Sequence, residues 1–139
     1  MIHTQRLRLR PFTMSDLDRF VAYRKEPDVA RYQSWSEEFT EEDGRAFIES
    51  VSSTPFGTPG AWVNLAIEHV STKRLIGDVA HRREPDGTGA EIGFTLSTAA
   101  QGQGHATEAV GALCTLSLES VRTRLRNPKP LLANTTRAT

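Results

Sequence analysis

Only one cysteine, Cys114, occurs among the 139 residues, so no disulfide can close within the chain. Nor is there any run of the about eighteen consecutive apolar residues that a membrane-spanning helix needs. The opening Met1-Ile2-His3-Thr4-Gln5-Arg6 lacks the apolar core of a secretory signal. A reduced, cytoplasmic setting with no membrane partner is expected on these grounds. Acidic residues are absent from one end. Residues 120–139 hold five basic side chains (Arg122, Arg124, Arg126, Lys129, Arg137) and no acidic one, against 12 basic and 17 acidic in residues 1–119. Such a segment can serve nucleic acid or an acidic partner. No aromatic residue is interleaved with these cations, however, and nucleic acid is not expected as a partner.

With 37% hydrophobic and 24% charged residues, the chain has the make-up of one globular domain. Leu7, Leu9 and Pro11 alternate with Arg6, Arg8 and Arg10, the period of a half-buried strand. Thr13 with Asp16 reads as a capping box before a helix carrying Leu17, Phe20 and Val21, which Pro27 ends or kinks. Thr40 with Asp43 repeats that signal ahead of Gly44, Phe47, Ile48 and Val51. Beyond a loop over residues 52–60, strands are expected near 61–69, 74–84 and 90–97, besides the first near 6–11. Asp86-Gly87 is the turn between the last two. A longer helix begins at about His105, with Ala106, Ala109, Val110, Leu113 and Leu116 on its apolar face. No internal repeat is visible.

The densest signal lies where the last strand meets that helix, in Glu91-Ile92-Gly93-Phe94-Thr95-Leu96 and Gln101-Gly102-Gln103-Gly104-His105-Ala106-Thr107-Glu108-Ala109. Glycines let backbone come close to a ligand, and the free N–H groups of a helix's first turn converge on one spot. Together with the helix dipole they suit an anion such as a pyrophosphate. Neither a G-x-x-x-x-G-K-[ST] phosphate loop nor a G-x-G-x-x-G dinucleotide turn is present. Taken alone, Gly102-x-Gly104 is also compatible with a plain tight turn.

Gln101-x-x-Gly104-x-Ala106 resembles the [QR]-x-x-G-x-[GA] loop of GNAT acetyltransferases. The neighbouring Glu-Ile-Gly-Phe and Ala-Thr-Glu-Ala segments resemble the branch of Rim-type ribosomal-protein acetyltransferases. So do Thr4-x-Arg6-Leu7-x-Leu9-Arg10-Pro11 and Leu75-Ile76-Gly77, and the likeness runs in order over about residues 3–119. The resemblance implies an α+β fold, a mixed and mostly antiparallel sheet with helices on both faces. It implies acetyl-coenzyme A as cosubstrate, no metal, and a primary amine as acceptor, either a protein N-terminus or a small amine. The coenzyme's pyrophosphate is then expected at Gln101, Gly102, Gln103, Gly104, His105, Ala106 and Thr107, and its pantetheine along Phe94, Thr95 and Leu96. One N–H of that strand polarises the thioester carbonyl. Glu91 is the candidate base.

Plainer readings stand beside these. A strand-end glutamate such as Glu91 and a helix-start histidine such as His105 are commonly surface residues. Cys114 reads as a small core residue without a basic neighbour to activate it. His69 and His81 stand too far apart in the sequence to suggest a metal site. Tyr32, Trp35 and Phe39 suit an acceptor pocket or a packed lid, and Glu37, Glu38, Glu41, Glu42 and Asp43 a solvated face or a lure for a cationic amine. After the third helix, the resemblance implies a fifth strand, a fourth helix and two further strands. Residues 120–139, with Pro128 and Pro130, match only a possible strand over 121–126. The expectation is an incomplete domain over 1–119 followed by an atypical basic tail, from a change of reading frame or a specialised terminus. The alternative function is then a weak or inactive fragment that binds coenzyme A or self-associates, with a homodimer possible through the uncovered edge.

Overall fold

The computed structural model describes residues 2–30, 39–86 and 89–120. Tyr32, Trp35, Glu37, Glu38, Gly87, the Leu116 side chain and the whole segment 121–139 lie outside what it describes. Among the described residues five strands form one sheet in the order of the chain: β1 (Ile2–His3), β2 (Leu7–Arg10), β3 (Trp62–His69), β4 (Arg74–Arg83) and β5 (Ala90–Leu96). Every neighbouring pair is antiparallel. Four helices accompany them among the described residues, α1 (Leu17–Arg24), α2 (Pro27–Ala30), α3 (Glu41–Ser52) and α4 (His105–Ser120). Among the described residues no helix is long and apolar enough to cross a membrane.

The helix starts follow from their caps. At α3 the Thr40 Oγ1 accepts from the Asp43 N–H at 3.0 Å while the Asp43 carboxylate accepts from the Thr40 N–H at 2.9 Å, two orphan donors satisfied reciprocally. At the other cap, the Asp16 carboxylate accepts from the Thr13 N–H at 2.9 Å, and one 3-10 turn, Met14–Asp16, precedes α1. Pro27 does not end α1, which stops at Arg24. It opens α2 instead, where a first-turn residue needs no N–H partner. Strand β1 had no sequence signal because two residues cannot display a period.

Two cores lie on opposite faces of the sheet. On one face α4 lays Ala109 and Leu113 over Leu7, Leu9, Leu65, Ile67, Val79, Ile92, Phe94 and Leu96. On the other, α1 and α3 bring Leu17, Phe20, Tyr23 and Ile48 over Phe12, Ala66 and Leu75. Covering both faces explains why β3 is buried over five consecutive residues, Val63–Ile67, rather than alternately. A bulge sits in β4: Ile67 pairs with Gly77 but Glu68 with Leu75, leaving Ile76 as the extra residue. The parity shift lets Ile76 and Val79 share the α4 core while Leu75 faces α1.

Next to the bulge, β4 carries a polar knot. Asp78 is 1% exposed and accepts from the Tyr23 hydroxyl and from the Asn64 amide at 2.8 Å, with the Arg24 guanidinium 3.5 Å away. Burial, then the Asp78 charge, holds the Tyr23 hydroxyl well above its ordinary pKa, so it stays a donor. Arg24 also lies over the Phe20 ring at 4.7 Å and the Phe47 ring at 5.0 Å. The knot fixes α1 onto the centre of the sheet.

Candidate active site

Strand β5 ends the sheet, and its backbone alternation decides what each side offers. Ser97 gives its N–H to the Ile76 carbonyl at 2.9 Å, so the odd-numbered residues of β5 bond to β4. Ile92, Phe94 and Leu96 therefore turn their N–H and C=O groups to the other edge, where no strand pairs among the described residues. One of those acceptors is used. The Gln101 amide donates to the Leu96 carbonyl at 3.2 Å, closing the end of the edge beside the loop.

A 3-10 turn, Thr98–Ala100, follows β5, and the Glu26 carboxylate, between α1 and α2, accepts the Thr98 N–H at 2.8 Å. The chain then passes Gly102 (φ +78°) and Gly104 (φ +81°), both in the left-handed region that favours glycine. The Glu108 N–H bonds to the Gly104 carbonyl at 3.1 Å, the first such bond of α4. The N–H groups of His105, Ala106 and Thr107 thus have no partner within the helix and sit at its positive end.

The side chains around this turn are held inward. Gln103 returns its amide to the Ala99 carbonyl at 2.9 Å. His105 is not a surface residue: it is 4% exposed, with Nδ1 3.0 Å from the Ala100 carbonyl. A carbonyl only accepts, so Nδ1 carries the proton. Any contact of His105 with a ligand on the α4 side of the loop runs through its backbone N–H. Thr95 is buried on the face opposite Phe94 and Leu96 and directs its backbone groups to β4, so, against the expectation from the sequence, it offers neither backbone nor hydroxyl to the free edge.

A clamp that had no sequence signal holds the loop to the first strands. Glu108 accepts from the Arg6 N–H at 2.9 Å, from Arg6 Nε at 2.7 Å and from the Thr4 hydroxyl, while Arg6 Nη1 donates to the Gln103 carbonyl at 2.9 Å. Arg6 and Glu108 are 102 residues apart, and only the packing of α4 over β2 brings them together. Burial raises the Glu108 pKa, but the Thr4 hydroxyl and the Arg6 donors outweigh it and bring it down to about 2. Its folded value lies below the ordinary 4.5, so the clamp adds stability above pH 4.5 and loses it as pH falls towards 2. Glu108→Gln is expected to flatten the acid limb of the stability–pH curve in that window, read from urea midpoints. A limb as steep as that of the unaltered protein would show the clamp to be unimportant to the folded state.

Glu91 is also less free than a strand-end glutamate. Its side chain is 12% exposed and accepts from Arg82 Nη1 at 3.2 Å, a cation that Glu84 shares at 3.0 Å. Cys114 is half-buried against the α4 core, and burial pushes its thiol up, away from the thiolate.

The sequence matches the acetyltransferase (GNAT) domain family over residues 6–135, and the chain belongs to that family. The match runs past residue 119, the boundary expected from the sequence. Solved structures share the fold. A GNAT-family acetyltransferase from Bacillus anthracis superposes with a TM-score of 0.74 at 23% identity, over 89% of this chain and 70% of its own. A protein of Vibrio cholerae, provisionally assigned as a ribosomal-protein-serine acetyltransferase, reaches 0.75 at 22% identity, over 92% and 74%. The microcin C7 self-immunity acetyltransferase MccE, solved with acetyl-CoA and AMP, reaches 0.70 at 19% identity, over 84% and 65%. No functionally curated protein matches significantly.

Proposed function

We propose that the chain transfers an acetyl group from acetyl-coenzyme A to a primary amine. The observation that carries this reading is the continuity of the free β5 edge with the loop of Gly102 and Gly104 at the start of α4. The family supports the reaction class, and the residues present fit the coenzyme. At Gly104 a Cβ would stand 3.4 Å from Arg6 Nη2 on a left-handed backbone, so the missing side chain keeps the N–H groups accessible.

When bound, the coenzyme supplies an activated acyl thioester. The N–H groups of Gln103, Gly104, His105 and Ala106 would hold its pyrophosphate, reinforced by the helix end and the nearby Arg6 charge. The N–H groups of Phe94 and Leu96 point to the free edge and would bind the pantetheine as an added strand bonds. One of these donors would polarise the thioester carbonyl. Glu91, on the opposite face of β5 and oriented by Arg82, would take the proton from the attacking amine directly or through water. Cys114, half-buried against the α4 core, has no part in this direct transfer. The Rim-type likeness favours a protein N-terminus over a small amine as acceptor, which the Vibrio cholerae relative also supports.

A thiol-release assay with acetyl-coenzyme A tests this against a panel of peptides with free N-termini and of small amines. Turnover with at least one amine is expected, falling about a hundredfold in Glu91→Gln, the scale of a lost general base. No release with any acceptor, from a protein that binds coenzyme A, would assign the chain a binding role without transfer.

A further inference from the structure

On the β4 side of β5, away from the free edge, a cavity of about 240 Å³ opens between the turn after β3 and the glycine loop. Arg19, Arg74, His69, Thr72, Ser97 and His105 line it, with Gln103, and among the described residues no carboxylate does. Arg19 donates Nε to the Leu75 carbonyl at 2.9 Å, which fixes its guanidinium at the rim and leaves the other nitrogens of the fork to the cavity. Arg74 engages neighbours through its backbone, in the β3–β4 ladder and by its N–H to Thr72 Oγ1 at 3.3 Å. Among the described residues no acidic side chain pairs with either arginine. By contrast Arg6, just before β2, Arg10 on β2 and Arg82 on β4 each have a carboxylate within 3.0 Å. These two cations converge on one hollow without compensation.

We infer that this cavity binds a phosphate group. Guanidinium forks match phosphate oxygens two bonds at a time, and two of them facing a hollow without carboxylates repel each other until an anion enters. The Thr72 and Ser97 hydroxyls and the Gln103 amide supply neutral donors around the same space. His69 and His105 close the inner wall edge to face, ring centroids 5.4 Å apart. The volume holds a phosphate together with the first atoms of whatever carries it. The site adjoins the proposed coenzyme site, since Gln103 and His105 belong to both, but it opens on the β4 side of β5, whereas the free edge lies on the far side of the strand. Its phosphate can belong to the coenzyme's own ribose or to another molecule.

Calorimetric titration of the full chain with inorganic phosphate alone tests the site without any coenzyme. Saturable binding is expected, weakened about tenfold in Arg74→Gln, the scale of one lost charge-assisted contact, and further in the Arg19→Gln/Arg74→Gln pair. Both arginines are exposed, and an unchanged thermal transition checks that the variants fold. No binding, or equal binding by the unaltered protein and Arg74→Gln, overturns the inference. Source is read from a second pair of titrations. A coenzyme A affinity that falls in Arg74→Gln, while 3′-dephospho-coenzyme A affinity does not, assigns the phosphate to the coenzyme. Additive binding of phosphate and coenzyme A assigns it to a separate ligand. A failed thiol-release assay leaves this titration standing, and a failed titration leaves the transferase reading standing.

Discussion

Gly104→Val is expected to weaken coenzyme A binding by at least about tenfold in a calorimetric titration, with the thermal transition lowered by several degrees but still cooperative. Two costs combine. A β-branched residue at φ +81° is forced into a conformation that ordinary L-residues pay about 1–2 kcal/mol to enter. Its side chain also enters the space 3.4 Å from Arg6 Nη2, where the helix N–H groups must meet their ligand. Relaxing either strain rotates the peptide units on each side of residue 104 and misaims the donors, at about 1–3 kcal/mol for a lost hydrogen bond to a charged group. Gly102 provides the control. It has φ +78° but nothing within 4 Å of a Cβ, so Gly102→Ala carries the conformational cost without the obstruction. Equal affinities for the unaltered protein and Gly104→Val would remove the loop from the binding site.

The largest expected loss of stability is at Asp78. Removing that carboxylate in Asp78→Ala strands the Tyr23 hydroxyl and the Asn64 amide, and takes from the buried Arg24 its carboxylate at 3.5 Å. Breaking a buried charged pair by removing one member costs about 3–5 kcal/mol, a large part of a small domain's whole stability. Urea denaturation should show the midpoint falling with the slope unchanged. A loss below about 1 kcal/mol would mean that water or side-chain rearrangement replaces the carboxylate easily.

Helix α3 and strands β3, β4 and β5 were legible because their signals are local. Thr40 and Asp43 are three residues apart, and the apolar periods of the strands are carried within each segment. The glycine loop was legible for the same reason. What escaped depends on distant partners. No spacing links Glu108 to Arg6, and no period shows that His105 turns inward to the Ala100 carbonyl. The Asp78 knot was invisible because Asp78 reads as one polar residue in an apolar strand until Tyr23 and Asn64 are seen around it. Glu91 was expected on an exposed strand end; Arg82 and Glu84 make its surroundings crowded and ionic. The Rim-type likeness rested on short segments, and it is the family as a whole that the match over residues 6–135 supports.

The bond from Arg6 to Glu108 also sets an order of events. During synthesis, residues 4–6 emerge from the ribosome long before their partner, and must wait for about a hundred further residues before the clamp can close. Until then neither the N-terminal hairpin nor the glycine loop has its native restraint. Contacts of such long separation close late and slow the folding of the whole domain. The anion-binding turn is therefore finished by residues 4–6 and the last helix described, acting together, and the later-made partner, Glu108, governs when ligand competence arrives.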